Sequence, residues 1–123
     1  MNQPVTHPLI GAERVNGAEV YGEGGHKLGR IEDVAIDKVS GRVAYAILSF
    51  GGLLGIGERY FPVPWGILKY DIDRRGYVVP LDEDSVKKAP SFEPKSLSGW
   101  TDAHTRESVF RYYAPYGVAP YWM

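Results

Sequence analysis

The residues of this sequence that could carry chemistry are three histidines, a short acidic cluster, two loop motifs and a scatter of serines. His7, His26 and His104 stand in three separate contexts, without His-x-x-x-His spacing and without any cysteine to complete a ligand set. A metal site would need them to converge by folding alone, so solvated loop histidines are the expectation and no metal or cofactor is assigned. Glu32, Asp33 and Asp37 form the acidic cluster. Paired carboxylates do acid–base work when one is buried and its pKa raised. On a strand, however, Asp33 and Asp37 share one face and Glu32 takes the other. That is the arrangement of a solvated face, with Asp37 placed to accept hydrogen bonds from turn amides.

The two loop motifs fail at specific positions. Asp71-Ile72-Asp73-Arg74-Arg75-Gly76 begins like a calcium loop, but Arg75 stands where an oxygen ligand belongs, and Asp82 replaces the bidentate glutamate. It reads as a hairpin turn. Gly51 to Gly57 is glycine-rich without the Gly-Lys-Ser/Thr of a phosphate cradle, and it leads into a strand rather than a helix. Ser40, Ser49, Ser85 and Ser108 lack a nucleophile-elbow context. Three tryptophans and nine tyrosines could stack on bases. Yet 14 basic residues against 15 acidic ones leave a net charge of -1 and no electrostatic pull toward nucleic acid. No catalytic residue is assigned, and no enzyme is expected.

The 123 residues are enough for one domain with a real core. The N-terminus lacks the basic and apolar regions of a signal peptide. The longest apolar stretch, Ala44 to Phe50, is too short to span a bilayer. A cytoplasmic protein is the expectation. From Val15 to Leu81, runs rich in Val, Ile, Tyr and Phe alternate with glycine and polar turn residues, the pattern of consecutive β-strands. Strands are expected over 13–21, 27–37, 42–50 and 58–63, with a last hairpin pairing 67–70 with 76–81. The second strand would place Leu28, Val34 and Ile36 on one face. Lys38-Val39-Ser40-Gly41 makes a hairpin, and Pro62-Val63-Pro64-Trp65 a corner.

The third strand is apolar on both faces, with Val43, Tyr45 and Ile47 on one and Ala44, Ala46, Leu48 and Phe50 on the other. Such a strand is buried on both sides, so one face fills the interior and the other meets a helix, a tail or another subunit. The expected core is Val15, Val20, Leu28, Val34, Ile36, Val43, Tyr45, Ile47, Leu48, Val63, Ile67, Val78 and Leu81. One helical turn is expected over 82–88 and a short helix over 103–114, capped by Asp102, with Val109, Phe110 and Tyr113 sharing a face. The aromatic ending, through Tyr116, Tyr121 and Trp122, should pack on the barrel or a partner.

Leu28-Gly29-Arg30-Ile31-Glu32-Asp33-Val34-Ala35-Ile36-Asp37, then Ser40-Gly41-Arg42-Val43, then Phe61-Pro62-Val63-Pro64-Trp65, together resemble the PRC-barrel domain family. The resemblance covers about Leu9 to Leu81. It implies a mostly β fold, a small, strongly bent barrel that binds proteins or organises assemblies, to which this sequence adds a short C-terminal helix and aromatic tail. It brings no catalytic residues. The expected organisation is an N-terminal arm (1–8), the barrel (9–88), a linker (89–101) and a helix with aromatic tail (102–123). The expected function is a non-enzymatic protein-binding or assembly module that self-associates as a dimer. Phe50, Leu53, Leu54, Ile56, Tyr116, Tyr121 and Trp122 are its candidate interface. The alternatives are a peripheral membrane or photosynthetic-complex accessory protein, using the same apolar loop and tail, and, less favoured, an enzyme acting on a small ligand in the barrel mouth.

Overall fold

A computed structural model describes residues 9–50, 59–93 and 103–120, with side chains from 106 onward in the last stretch. The elements in chain order are α1 (Ala12–Val15), β1 (Glu19–Tyr21), β2 (Lys27–Ile36), β3 (Val43–Ser49), β4 (Tyr60–Pro64), a 3₁₀ turn (Trp65–Ile67), β5 (Lys69–Asp71), β6 (Gly76–Val78), α2 (Glu83–Lys88), α3 (Ala103–Tyr113) and a second 3₁₀ turn (Ala114–Tyr116). The strands form one six-stranded sheet in the order β4-β3-β2-β1-β6-β5. All neighbours are antiparallel except β1 and β6. Its two end strands are not paired with each other, so the sheet stays open.

The long β2 carries most of the curvature. Leu28 is an extra residue opposite β1, between the pairs Val20–Gly29 and Tyr21–Lys27. Glu32 is an extra residue opposite β3, between the pairs Ile31–Leu48 and Asp33–Ile47. Ala44 is an extra residue on β3 opposite Ala35 and Ile36. Each bulge bends the strand and resets which face the next side chains occupy. The buried residues of β2 are therefore Leu28, Ile31 and Ala35, three and four residues apart, not a set spaced by two. This corrects the expected core. Ile36 is 56% exposed, while Val34, Val43 and Val78 are half-buried. The other expected core residues are buried, joined by Phe61, Tyr77, Val79 and Val86.

Gly29 is where this bend is closest. A Cβ there would lie 2.0 Å from the Ser49 carbonyl oxygen and 2.9 Å from the Phe50 ring. Only glycine lets β2 cross the end of β3 at that distance. At the β2–β3 hairpin Gly41 adopts φ 79°, as the short connection requires. Asp37 closes that turn, accepting from the Val39 N–H at 3.1 Å and the Ser40 hydroxyl at 2.9 Å.

The first expected strand is mostly not a strand. Residues 12–15 form a helical turn, and only Glu19–Tyr21 pair. Trp65 opens a 3₁₀ turn that takes up the corner, delaying the next strand to Lys69. Downstream, α2 is capped by the Asp82 carboxylate, which accepts from the Ser85 N–H at 2.8 Å. The expected helix cap Asp102 lies outside the described residues.

β3 is buried along almost its whole length, and α3 reaches it through one ring contact. Tyr45 points from the outer face of β3 to the Phe110 ring, 5.7 Å between centroids. Val109, Phe110 and Tyr113 are buried together, as their helical spacing requires. Tyr113 in turn meets Tyr112 and Tyr116 at 5.0 and 5.9 Å. The Tyr112 hydroxyl donates to the Ser85 carbonyl of α2, tying the C-terminal helix to the segment after the sheet. Burial in this cluster pushes the Tyr113 hydroxyl pKa well above the ordinary phenol range, helped by its two tyrosine neighbours.

Candidate interaction surface

β3 ends at Ser49 and β4 begins at Tyr60, so the apolar segment 51–58 is carried between two strands of the core. Both roots are pinned. Before it, the Ser49 hydroxyl donates to the Glu32 carboxylate at 2.6 Å, and Arg30 reaches the same oxygen at 3.0 Å. Arg30 pairs with Ser49 across the strands, and Glu32, two residues on from Arg30, shares their face. Desolvation by burial raises the Glu32 pKa, but the hydrogen bonds from Ser49 and Arg30 and the Arg30 charge outweigh it, leaving the carboxylate below its ordinary range. A carboxylate held ionised between a hydroxyl and a guanidinium serves as an anchor, not as a general acid. The Phe50 ring packs edge-on against Phe61, 4.9 Å between centroids.

After the segment, the Arg59 guanidinium donates to the Ser91 hydroxyl at 2.6 Å and to its carbonyl at 3.2 Å. Tyr60 and Phe92 exchange both backbone hydrogen bonds at 2.9 Å. Their rings meet edge to face at 5.9 Å. Phe92 therefore occupies the outer edge of β4. Tyr60, Pro62 and Pro64 alternate in phase along this strand, so both prolines put their missing N–H groups on that same outer edge. Pairing at this end of the sheet is sealed by sequence.

The expected interface residues divide among these places. Phe50 is 3% exposed, a core residue beside the loop whose ring is not presented to a partner. Tyr116 is half-buried against Tyr113, in the aromatic cluster at the end of α3. Leu53, Leu54, Ile56, Tyr121 and Trp122 lie outside the described residues.

The acidic residues serve turns and strands individually. Asp33 accepts from the Val34 N–H at 2.8 Å and is exposed, Asp37 closes the hairpin, and Glu32 is the anchor just described. An open groove of about 620 Å³ lies between the 22–28 turn and the start of α2, lined by Glu23, His26, Lys27, Asp82 and Asp84 among others. Asp82 is already engaged as the helix cap there. Among the described residues no three His, Asp or Glu side chains are grouped to hold a metal ion. Among the same residues no helix is long and apolar enough to cross a membrane.

Among the described residues the opposite end of the sheet, β5, has no such seal, and sequence reasoning did not single it out. Lys69, Tyr70 and Asp71 pair only with β6 among the described residues, and Tyr70 is 45% exposed. The signal was present as a three-residue strand with opposite charges at its ends.

A bent, bulged, open sheet with a doubly buried third strand and a Pro-Trp corner defines a small β domain. The PRC-barrel domain matches residues 8–86, and the chain belongs to that family. A Deinococcus radiodurans protein described as uncharacterized is 29% identical over 96 residues, covering 77% of this chain and 34% of that protein. The chain thus spans about a third of the length of the curated relative it matches. Among solved structures, the 16S ribosomal RNA processing protein RimM of Pseudomonas aeruginosa aligns with a TM-score of 0.41 and 17% identity, over 68% of this chain and 50% of that one.

Proposed function

We propose that this chain is a non-enzymatic, cytoplasmic protein-binding module that associates with copies of itself through the 51–58 segment. The observation that supports the reading is the anchoring of the residues on either side of that segment. Leu53, Leu54 and Ile56 fall within four positions of a connection whose two roots are fixed by Ser49–Glu32 and Arg59–Ser91. Connections run over the surface, and large apolar side chains clustered there mark contact surfaces. Membership of the PRC-barrel family supports the same class of task.

Of the covers expected for the second face of β3, a helix, a tail or another subunit, the helix α3 supplies at least a part through Tyr45 and Phe110. The proposal therefore stands on the loop and not on the strand. Light scattering of Leu54→Glu is the test. A smaller species with unchanged circular dichroism is the expected result, and a wild type that is already monomeric at high concentration would overturn it.

A further inference from the structure

We infer that the edge of β5, unpaired among the described residues, is a second self-association surface, on which two copies pair their Lys69-Tyr70-Asp71 strands antiparallel about a two-fold axis at Tyr70. The backbone comes first. The Asp71 carbonyl accepts from the Arg75 N–H at 2.8 Å, so it faces into its own hairpin. Along a strand, N–H and C=O groups alternate sides from one residue to the next. The Tyr70 N–H and C=O therefore point to the open edge. In a two-fold antiparallel pair, Tyr70 of each copy exchanges both bonds with Tyr70 of the other.

The side chains fit the same register. In that pairing Lys69 of one copy lies opposite Asp71 of the other, twice over, so each contact brings opposite charges together. A lysine on a short edge strand ordinarily discourages pairing; here the aspartate two positions on supplies its counter-charge. On the other face of the strand, Trp65, Tyr77 and Tyr70 form an aromatic row with successive centroids 5.5 and 5.3 Å apart. The row stops at the edge with Tyr70 half-exposed. A second copy continues it, Tyr70 against Tyr70.

The edge is also held in place. Arg74, in the β5–β6 turn, donates to the Gly25 carbonyl at 3.0 Å and lies over the Tyr21 ring at 4.9 Å. The Asp71 carboxylate accepts from the Asp73 and Arg74 N–H groups at 3.0 and 3.2 Å through one oxygen. Its second oxygen is 3.6 Å from the Arg74 guanidinium. A strand braced on its inner side loses little freedom on pairing. The contrast with β4 is sharp, since that edge carries two prolines and Phe92 while β5 carries neither.

The absence of native cysteine makes the register directly testable. Lys69→Cys and Asp71→Cys chains are prepared separately, mixed, and oxidised gently. Opposed residues of this type sit about 4.5 Å apart at Cα, inside the disulfide range of about 4.4–6.8 Å. Two copies of residue 69, two positions out of register, are roughly 8 Å apart by strand spacing and rise. The mixed disulfide should therefore exceed either homodimer several-fold. Tyr70→Cys alone should cross-link to itself, and it decides the matter if Asp71→Cys misfolds through loss of the turn. Mixed and homodimeric disulfides in the proportions of random collision, or no Tyr70→Cys cross-link in a chain with wild-type circular dichroism, would overturn the inference. Repeating Tyr70→Cys in the Leu54→Glu background separates this surface from the loop: the cross-link should survive there, and its loss would show that the edge does not pair by itself.

Discussion

Replacing Phe110 with alanine should unfold more than the C-terminal helix. The side chain is 6% exposed and meets the Tyr45 ring, which is itself buried on the outer face of β3. Removing a buried phenylalanine costs about 3–5 kcal/mol through lost transfer energy and the cavity left behind. A domain of this size has only about 5–15 kcal/mol in total. At roughly 3–5 °C per kcal/mol for this length, Tm should fall by about 10–20 °C. Arg111→Ala, exposed on the same helix, is the control and should stay within about 0.5 kcal/mol. Thermal and urea unfolding followed by circular dichroism and tyrosine fluorescence should remain coincident in both variants. A Phe110→Ala chain with wild-type Tm, combined with selective proteolysis between residues 93 and 106, would refute the reasoning. It would show that β3 keeps its fold without its cover.

Gly29→Ala should destabilise by about 1–3 kcal/mol or more, because its Cβ has backbone on one side and an aromatic ring on the other; urea titration measures it, and a neutral result would mean that β2 and β3 separate easily. Tyr113 gives an alkaline prediction: its folded pKa is raised, so its contribution is complete below the ordinary value near 10 and is lost as pH rises beyond it. Tyr113→Phe should therefore flatten the loss of stability above about pH 10, and an unchanged alkaline arm would assign that loss elsewhere. At the acid end, the Asp37 pKa is depressed chiefly by the Ser40 hydroxyl, and the Asp82 pKa by the Ser85 N–H. Their stabilisation is present above the unfolded value near 3.9 and fades as pH falls through the lower folded values. Asp37→Asn with Asp82→Asn should thus reduce the slope of stability below about pH 4 in acid-titration unfolding.

Much of this fold can be read from composition and spacing, and the misreadings have a common cause. The strand runs at 27–37 and 42–50, the double burial of β3 and the helical face of Val109, Phe110 and Tyr113 all follow from local pattern. The placement of Ile36 does not, because bulges at Leu28, Glu32 and Ala44 are set by pairing between strands and leave no local signature. The same is true of the Glu32–Ser49 anchor, which joins residues 17 positions apart. Near the N-terminus, 12–15 carries Ala, Glu and Arg, good helix formers that the strand assignment passed over. The β5 edge was legible only once β4 was known to be sealed. An edge is a property of the whole sheet, not of the three residues that form it.

Self-association through the 51–58 segment is most directly tested by sedimentation equilibrium of the intact chain and of Leu54→Glu over a wide concentration range. The account predicts a wild type whose mass rises to twice that of the chain or beyond, and a Leu54→Glu chain shifted toward the monomer with its β spectrum intact. A wild type that stays monomeric at the highest concentration, or a Leu54→Glu chain with the same association constant, would contradict it.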